Sequence, residues 1–148
     1  MSQVNISTLI PIPKSPGNES PQHYKAKERL TQILQGSNYE NIQVESKQVK
    51  VMLQFLGERT YIGDIQCQKE GRIYIFEIDG TRGHSSRWNK SKDKARDRAL
   101  LDIGRWTIRL KTVWLVGRGK LSDREILEEI DYQIWDRYIH GKGNIIHH

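Results

Sequence analysis

The chain has 148 residues, which suffice for one domain with a hydrophobic core but not for two. It carries 24 Lys and Arg against 18 Asp and Glu, and the net charge of +6 favours a polyanionic partner such as nucleic acid. Because the chain has no run of about 18 apolar residues, no signal-peptide pattern and a single cysteine, we expect a cytoplasmic protein without a membrane segment or an intrachain disulfide.

Both ends of the chain are predicted to lie outside the folded domain. Residues 1–20 contain three prolines and show no helical or strand period, which predicts a flexible N-terminal arm. A single domain is predicted for residues 21–140, and a flexible tail for residues 141–148. The first helix should begin after Ser20, whose hydroxyl can cap free amides, and should end at Gly36.

The remaining elements follow in chain order. Three strand-like segments, separated by turn residues, predict antiparallel hairpins. A helical period, a β-branched and aromatic strand, and a helix that starts at a Ser-x-x-Glu capping box come after them. The segments span residues 42–53, 59–68, 72–79, 89–103 and 106–116, and the last helix starts at Ser122. The prediction is an α+β fold with an αβββαβ core and an extra C-terminal helix.

Acidic side chains cluster near the junction of the second and third strands. Because side chains alternate along a strand, Glu77 and Asp79 share one face about 7 Å apart, and the hairpin should bring Asp64 beside Glu77. Carboxylates this close raise each other's pKa unless a cation offsets the repulsion, and Mg²⁺ binds through one or two carboxylates with phosphates and water. The pattern therefore predicts a site for Mg²⁺ or Mn²⁺. The alternative for any single acid is an exposed sheet end paired with Lys and Arg.

Two further groups follow the acids. His84 lies in a glycine-bracketed loop, and beside a metal it could donate to a phosphate or relay a proton. On the next helix Asp93 and Asp97 are four residues apart with Arg96 between them, so one side of the helix carries acid, base and acid. The alternative for this helix is an ordinary surface salt-bridge ladder.

Taken in order, these residues resemble the very short patch repair endonucleases and their relatives in the PD-(D/E)xK nuclease superfamily. The resemblance covers residues 23 to 116, and its most specific residues are Asp64, Glu77, Asp79, Gly80, His84, Asp93, Arg96 and Asp97. It implies a restriction-endonuclease-like core and a Mg²⁺- or Mn²⁺-dependent DNA endonuclease, of the homing, phage or restriction type, in a prokaryotic or viral setting.

The resemblance also implies roles for particular residues. The implied catalytic residues are Asp64, Glu77, Asp79, His84, Arg96 and Asp97, and the implied metal ligands are Asp64, Glu77 and Glu28 of the first helix. The sequence departs from the family pattern at three places. Lys27 stands at the family's first-helix glutamate, Gly63 replaces the usual proline, and Asp79 stands where the superfamily usually has lysine. Activation of water must then fall to water held by the metal, to His84 or to another base.

Double-stranded DNA is the implied partner, and basic residues around the acids could contact its phosphates. These residues are Lys47, Lys50, Arg82, Arg87, Lys90, Lys92 and Lys94. Since no separate base-reading module is visible, recognition of a near-palindromic site by a homodimer or higher homo-oligomer is expected. Tyr132, Trp135 and Tyr138 are candidates for that interface, with core packing as the alternative. Two other functions stay open: a non-catalytic nucleic-acid-binding protein on the same frame, and a Holliday-junction resolvase.

Overall fold

The computed structural model describes Ile12 and residues 19–45, 48–53, 57–80 and 87–146, and its side-chain description leaves out residues 48, 51–53, 87–93 and 140–146. The described residues form four helices and six strands. The helices are α1 (Pro21–Gln35), α2 (Arg87–Asp102), α3 (Thr112–Leu115) and α4 (Asp123–Ile146). The strands are β1 (Glu40–Val44), β2 (Gln48–Leu53), β3 (Gly57–Ile62), β4 (Ile65–Lys69), β5 (Arg72–Asp79) and β6 (Arg105–Lys111).

The strands form a four-stranded mixed sheet and a two-stranded ribbon. The sheet has the order β1-β4-β5-β6, in which β1, β4 and β5 pair antiparallel and β6 runs parallel to β5. The ribbon pairs β2 with β3. The predicted α+β class and the antiparallel hairpins are confirmed, and α2 makes the crossover that a parallel β5–β6 pair requires.

The two faces of the sheet carry different cores. One face packs against α1, α3 and α4, and its buried side chains include Leu30, Phe76 and Ile130. The opposite face packs against α2 and the ribbon through Ile75, Leu100 and smaller contacts. Because strand side chains alternate, Glu77 and Asp79 lie on the same face of β5 as Ile75, beneath α2. The candidate site is therefore built on the face that carries the smaller core.

The local signals for helix starts are confirmed. The hydroxyl of Ser20 accepts a hydrogen bond from the His23 N–H at 3.1 Å at the start of α1. At the start of α4, Ser122 and Glu125 exchange side-chain to backbone hydrogen bonds of 3.0 and 3.1 Å, which is the reciprocal pattern of a capping box. Among the described residues, no helix is both long and apolar enough to cross a membrane.

The predicted strands 42–53 and 59–68 are each divided in two, which corrects the prediction of continuous strands. Glu45 has a φ of 58°, a left-handed conformation that no regular strand contains. On the facing strand, Gly63 and Asp64 separate β3 from β4. The long hairpin bends at these residues, so that one half joins the sheet and the other half forms the ribbon.

Gly63 is required by the close approach of two strands. A Cβ atom at this position would lie 2.3 Å from Cγ2 of Ile75, far inside contact distance. The bend before Asp64 therefore brings the chain directly over β5. The close approach of the two strands leaves no space for a side chain, which explains the glycine at position 63.

The last two elements also differ from the prediction. The strand expected to reach residue 116 ends at Lys111, because the chain turns into α3, whose Leu115 is fully buried. The hydroxyl of Thr112 donates to the carbonyl oxygen of Asp79 at 3.2 Å, which fastens this turn to the end of β5. Helix α4 runs to Ile146 and so includes residues 141–146 of the predicted tail.

Candidate active site

Glu77 is the central acid of the site. It lies on β5 directly opposite Arg109 in the parallel pairing with β6, and its side chain is partly buried. Burial raises the pKa of Glu77 to about 7, with Asp79 and Asp97 adding to the rise and the positive charges of Arg96 and Arg109 opposing it. A carboxyl group in this state is close to half ionised at neutral pH, and a further cation nearby would favour its charged form.

Asp97 of α2 serves as an anchor for two arginines. Its Oδ1 accepts from Nη2 of Arg109 at 2.7 Å, and its Oδ2 accepts from Nε of Arg109 at 3.3 Å. Oδ2 also accepts from Nη2 of Arg137 on α4 at 3.2 Å. Both oxygens of Asp97 are thus bonded to guanidinium groups. In this arrangement Asp97 aligns Arg109 beside Glu77, which is a positioning role.

Asp79 and Arg96 complete the face beneath α2. The Oδ1 atom of Asp79 lies 3.9 Å from Nη1 of Arg109, so the same arginine contacts both acids that flank Glu77 in space. The guanidinium of Arg96 lies 4.2 Å from the centre of the Tyr61 ring, a cation–π contact with the β2–β3 ribbon. The positive charge of Arg96 also lies near enough to Glu77 to lower the pKa of that carboxyl group.

Asp64 lies at the level of Glu77 in the pairing of β4 with β5, but its side chain contacts different residues. Ile65 pairs with Phe76, which places Asp64 at the level of Glu77, and Oδ2 of Asp64 accepts from the Ile78 N–H at 2.7 Å. Its Oδ1 lies 3.4 Å from Nε2 of His23 on α1. Burial alone would raise the pKa of Asp64, but these two contacts, with a further one from Glu45, hold the pKa below its ordinary value.

A second cluster of charges surrounds the start of α1. Lys27 is fully buried, with its Nζ 2.9 Å from Glu19 and 3.7 Å from Glu45. His23 contacts both Glu19 and Asp64, and the hydrogen bond to Asp64 is the main cause that raises the pKa of His23 to about 9. Asp64 is therefore held through His23, which is positively charged at neutral pH.

The structure brings together four of the predicted site residues. Glu77, Asp79, Arg96 and Asp97 lie together beneath α2, with Arg109 between the acids. Asp64 lies at the level of Glu77 in the β4–β5 pairing, but its side chain contacts His23 and the Ile78 N–H.

Glu28 is exposed, whereas its neighbour Lys27 faces the Asp64 side of α1. Because Glu28 lies about 100° further around the helix than Lys27, the two cannot face the same acids. The role of Glu28 as a metal ligand with Asp64 therefore stays a prediction.

Several predicted residues lie outside the described part of the chain. His84, Arg82 and Lys47 are not described, and neither are the side chains of Arg87, Lys90, Lys92 and Asp93. Lys50 on β2 and Lys94 on α2 are exposed. Of the candidate interface residues, Tyr132 and Trp135 are 58% and 56% exposed, while Tyr138 stacks on Trp106.

Sequence reasoning missed the residues that fix the site in place. Gln133 and Arg137 are four apart on α4 and bond to the free edge of β6, and His23 and Lys27 are four apart on α1. The spacing places each pair on one side of its helix. The available signal in the sequence was a pair of polar side chains four residues apart on an otherwise apolar side of a helix. No nearby residue indicated which strand these side chains would contact.

The oxygen donors suit a hard divalent cation, although no complete protein cage is present among the described residues. Within that part of the chain, no three His, Cys, Asp or Glu side chains lie close enough together to hold a metal ion. Mg²⁺ takes one or two carboxylates and completes its shell with water and substrate phosphates. Glu77 is a partly buried carboxyl group of raised pKa, and a carboxylate in that state is the kind of ligand that such a cation stabilises. The residues fit Mg²⁺ or Mn²⁺ on these terms.

Comparison with known proteins adds no relative to this description. No protein-family model, no curated protein and no solved structure matches the chain.

Proposed function

We propose that this protein is a metal-dependent DNA endonuclease that hydrolyses phosphodiester bonds. The observation that carries the proposal is the partly buried Glu77, whose pKa is raised to about 7, lying between acids and arginines at one end of the sheet. Strongly perturbed carboxyl groups of this kind are concentrated at catalytic and metal sites.

The frame of the fold supports the same proposal. When the β2–β3 ribbon is set aside, α1, the strands β1, β4 and β5, the crossover helix α2 and the parallel strand β6 have the order αβββαβ. This is the element order of a restriction-endonuclease-like core. Glu77 lies on β5 and Asp64 directly precedes β4, which is the hairpin where that superfamily carries its acids. Assignment of the chain to the PD-(D/E)xK superfamily is part of the proposal.

The proposed reaction is hydrolysis of one phosphodiester bond. The oxygen of water forms a bond to phosphorus, the bond from phosphorus to one sugar oxygen breaks, and the proton lost by water is balanced by one gained at the leaving oxygen. Asp64 and Glu77 would hold Mg²⁺ or Mn²⁺, which supplies positive charge to the phosphate and lowers the pKa of water. His23 and the Ile78 N–H keep the Asp64 carboxylate ionised and oriented toward Glu77's strand.

The charge of the chain suits a DNA substrate. The net charge is +6, and Lys50 and Lys94 are exposed on the two elements that pack on the site face of the sheet, β2 and α2. Such lysines would contact phosphates without reading sequence. A homodimer would bring two such sites to the two strands of one DNA duplex, and Tyr132 and Trp135 supply exposed apolar surface for it.

A plasmid-nicking assay tests the proposal. Supercoiled plasmid is incubated with Mg²⁺ and the wild type, Asp64→Asn, Glu77→Gln or Glu128→Gln, the last removing an exposed acid of α4 as a control. The proposal expects nicking by the wild type and the control, and loss of at least about 100-fold in rate for the two site variants. Equal nicking by all four proteins would contradict it, as would no nicking by the wild type. A four-way junction in the same assay shows whether branched DNA is preferred.

A non-catalytic nucleic-acid-binding protein is the second candidate. It is favoured by Asp97, whose two oxygens are both engaged by arginines of the chain and so are not open to a metal. This candidate expects salt-sensitive DNA binding by the wild type without metal-dependent cleavage.

A further inference from the structure

The imidazole ring of His23 lies between two carboxylates at the start of α1. Its Nε2 is 3.4 Å from Oδ1 of Asp64, and its Nδ1 contacts Oε2 of Glu19. An ionised carboxylate only accepts hydrogen bonds, so a ring that bonds to one on each side carries a proton on both nitrogens. His23 is therefore an imidazolium, a cation held against the acid that is proposed to bind a metal ion.

Both oxygens of Asp64 have partners within the chain. The Ile78 N–H donates to Oδ2 at 2.7 Å, while Oδ1 faces the imidazolium of His23. The two partners differ in charge, because a backbone amide is neutral and the imidazolium carries a full positive charge. The side chain of Asp64 is only 13% exposed, so water screens charges there poorly. A divalent cation bound to the same carboxylate would therefore be repelled by His23.

Glu19 gives the imidazolium a second partner that is itself held in place. The side chain of Glu19 is 2% exposed, and Nζ of the fully buried Lys27 lies 2.9 Å from its Oε2. The same Nζ lies 3.7 Å from Glu45. His23 is less enclosed, with 23% of its side chain exposed. The ring can thus exchange Asp64 for water at Nε2 while Nδ1 stays on Glu19.

We propose that His23 is an internal competitor of the metal ion, which pairs with Asp64 until this carboxylate takes a divalent cation and then keeps only Glu19. The inference rests on the proposed nuclease function, in which Asp64 is a metal ligand. Before the metal binds, the imidazolium keeps the buried Asp64 ionised and in place. The same contact lowers the affinity of the site for the metal ion. His23 acts on the site through Asp64 and is not itself a ligand, since both of its nitrogens carry protons.

A role in orienting Asp64 alone predicts the opposite effect on metal binding. Side chains that orient a metal ligand raise the affinity for the metal, and their loss lowers that affinity by roughly 10–100-fold. A competing cation lowers the affinity, so its loss raises it. The direction of the change in Kd therefore separates competition from orientation.

The test measures Mn²⁺ binding at neutral pH without DNA, from the electron paramagnetic resonance signal of the free ion. It compares the wild type with His23→Gln, Lys25→Gln and Asp64→Asn. We expect His23→Gln to bind Mn²⁺ at least about tenfold more tightly than the wild type, because it removes the repulsive charge. Lys25→Gln is the matched control, since it removes one positive charge from an exposed position of the same helix. Its Kd should stay within about threefold of the wild type.

The outcomes separate the inference from the proposed function. An unchanged or weaker affinity in folded His23→Gln, or an equal gain in Lys25→Gln, would overturn the inference. If the wild type binds no Mn²⁺, or if Asp64→Asn binds it as the wild type does, the proposed metal site itself is wrong and the inference falls with it. Because binding is measured without cleavage, the two failures are distinguishable.

If His23→Gln is unfolded at the assay temperature, crystal structures of the wild type with a chelator and with Mn²⁺ decide. With Mn²⁺ on Asp64, we expect the distance from Nε2 of His23 to Oδ1 of Asp64 to exceed about 4 Å, the limit of an ion pair, while the contact with Glu19 remains. A contact of 3.4 Å that persists beside bound Mn²⁺ would overturn the inference.

Discussion

Two titratable side chains near the candidate site, Glu77 and His23, have pKa values displaced upward for different reasons. Burial penalises the charged form of Glu77, whereas His23 gains a hydrogen bond and charge attraction from Asp64. Glu77 therefore opposes folding when it is ionised, and His23 supports folding when it is protonated. Both effects make the metal-free protein less stable as pH rises, in two different ranges of pH.

The first prediction concerns Glu77 in the presence of a chelator. The unfolded chain releases this proton near 4.5 and the folded chain near 7, so wild-type stability falls as pH rises between these values. Glu77→Gln should remove that fall, making the variant more stable than the wild type by roughly 1–3 kcal/mol at about pH 8 and not at about pH 4. Urea denaturation at both pH values measures it, with Glu128→Gln as the control. Parallel pH profiles for wild type and variant would be inconsistent with a buried Glu77.

The second prediction concerns His23. Its stabilising contribution is fully present below the unfolded pKa of 6.5 and is lost as pH rises through about 9. His23→Gln should therefore be less stable than the wild type by roughly 1–3 kcal/mol at about pH 6, and equal to it at about pH 10. The same denaturation measurement applies, with Glu28→Gln on the exposed side of α1 as control. A deficit that persists at high pH would show a packing effect in place of a charge effect.

At the scale of elements, the sequence correctly predicted features that depend on residues close together in the chain. The Ser20 cap, the Ser122 and Glu125 capping box and the turn between β4 and β5 each depend on residues within four positions of one another, and the structure has them. The period of β5 likewise predicted that Glu77 and Asp79 share a face. The bends at Glu45 and Gly63 depend on the presence of two sheets, which a single segment does not reveal.

For the candidate site, the sequence likewise predicted only what strand period and strand pairing determine. Acids on one hairpin follow from strand period and pairing, so Asp64 and Glu77 were within reach of the sequence. The contacts of Arg109 with Asp97 and of Arg137 with both α2 and β6 require knowing where α4 packs. The position of α4 is determined by the packing of the whole core, and no short sequence pattern indicates it.

The third prediction tests the close approach at Gly63. A Cβ atom there would lie 2.3 Å from the Ile75 side chain, so Gly63→Ala must displace one of the two strands. We expect a loss of roughly 1–3 kcal/mol in the free energy of unfolding, as for other overpacked positions. Gly119→Ala is the control, since a Cβ there meets nothing within 4 Å. A stability of Gly63→Ala equal to that of Gly119→Ala would contradict the described β3–β4 junction.

At the scale of the whole molecule, charge and fold point to one surface. The chain carries a net charge of +6, and the site lies on the sheet face that packs against α2 and the β2–β3 ribbon. Both of these elements present exposed lysines, Lys94 and Lys50. In the proposed function, DNA would contact these lysines on the outer surfaces of α2 and the ribbon, at the end of the sheet where Glu77 lies.

The fourth prediction concerns the salt dependence of DNA binding in the absence of metal. Each lysine that contacts a phosphate contributes about one unit to the slope of log affinity against log salt. The double variant Lys50→Gln, Lys94→Gln should therefore reduce the slope by about two, and Lys120→Gln, an exposed lysine outside the predicted set, should leave it unchanged. Fluorescence anisotropy with a duplex gives the slopes. Equal slopes for all three proteins would mean that DNA lies elsewhere.

The most direct test of the account is the position of a bound metal ion. Crystals of the protein soaked with Mn²⁺ and measured for anomalous scattering locate the ion without any assumption about activity. The account predicts a peak within coordination distance of the Asp64 and Glu77 carboxylates, absent in Glu77→Gln. Anomalous density confined to other acids, or none at saturating Mn²⁺, would contradict it.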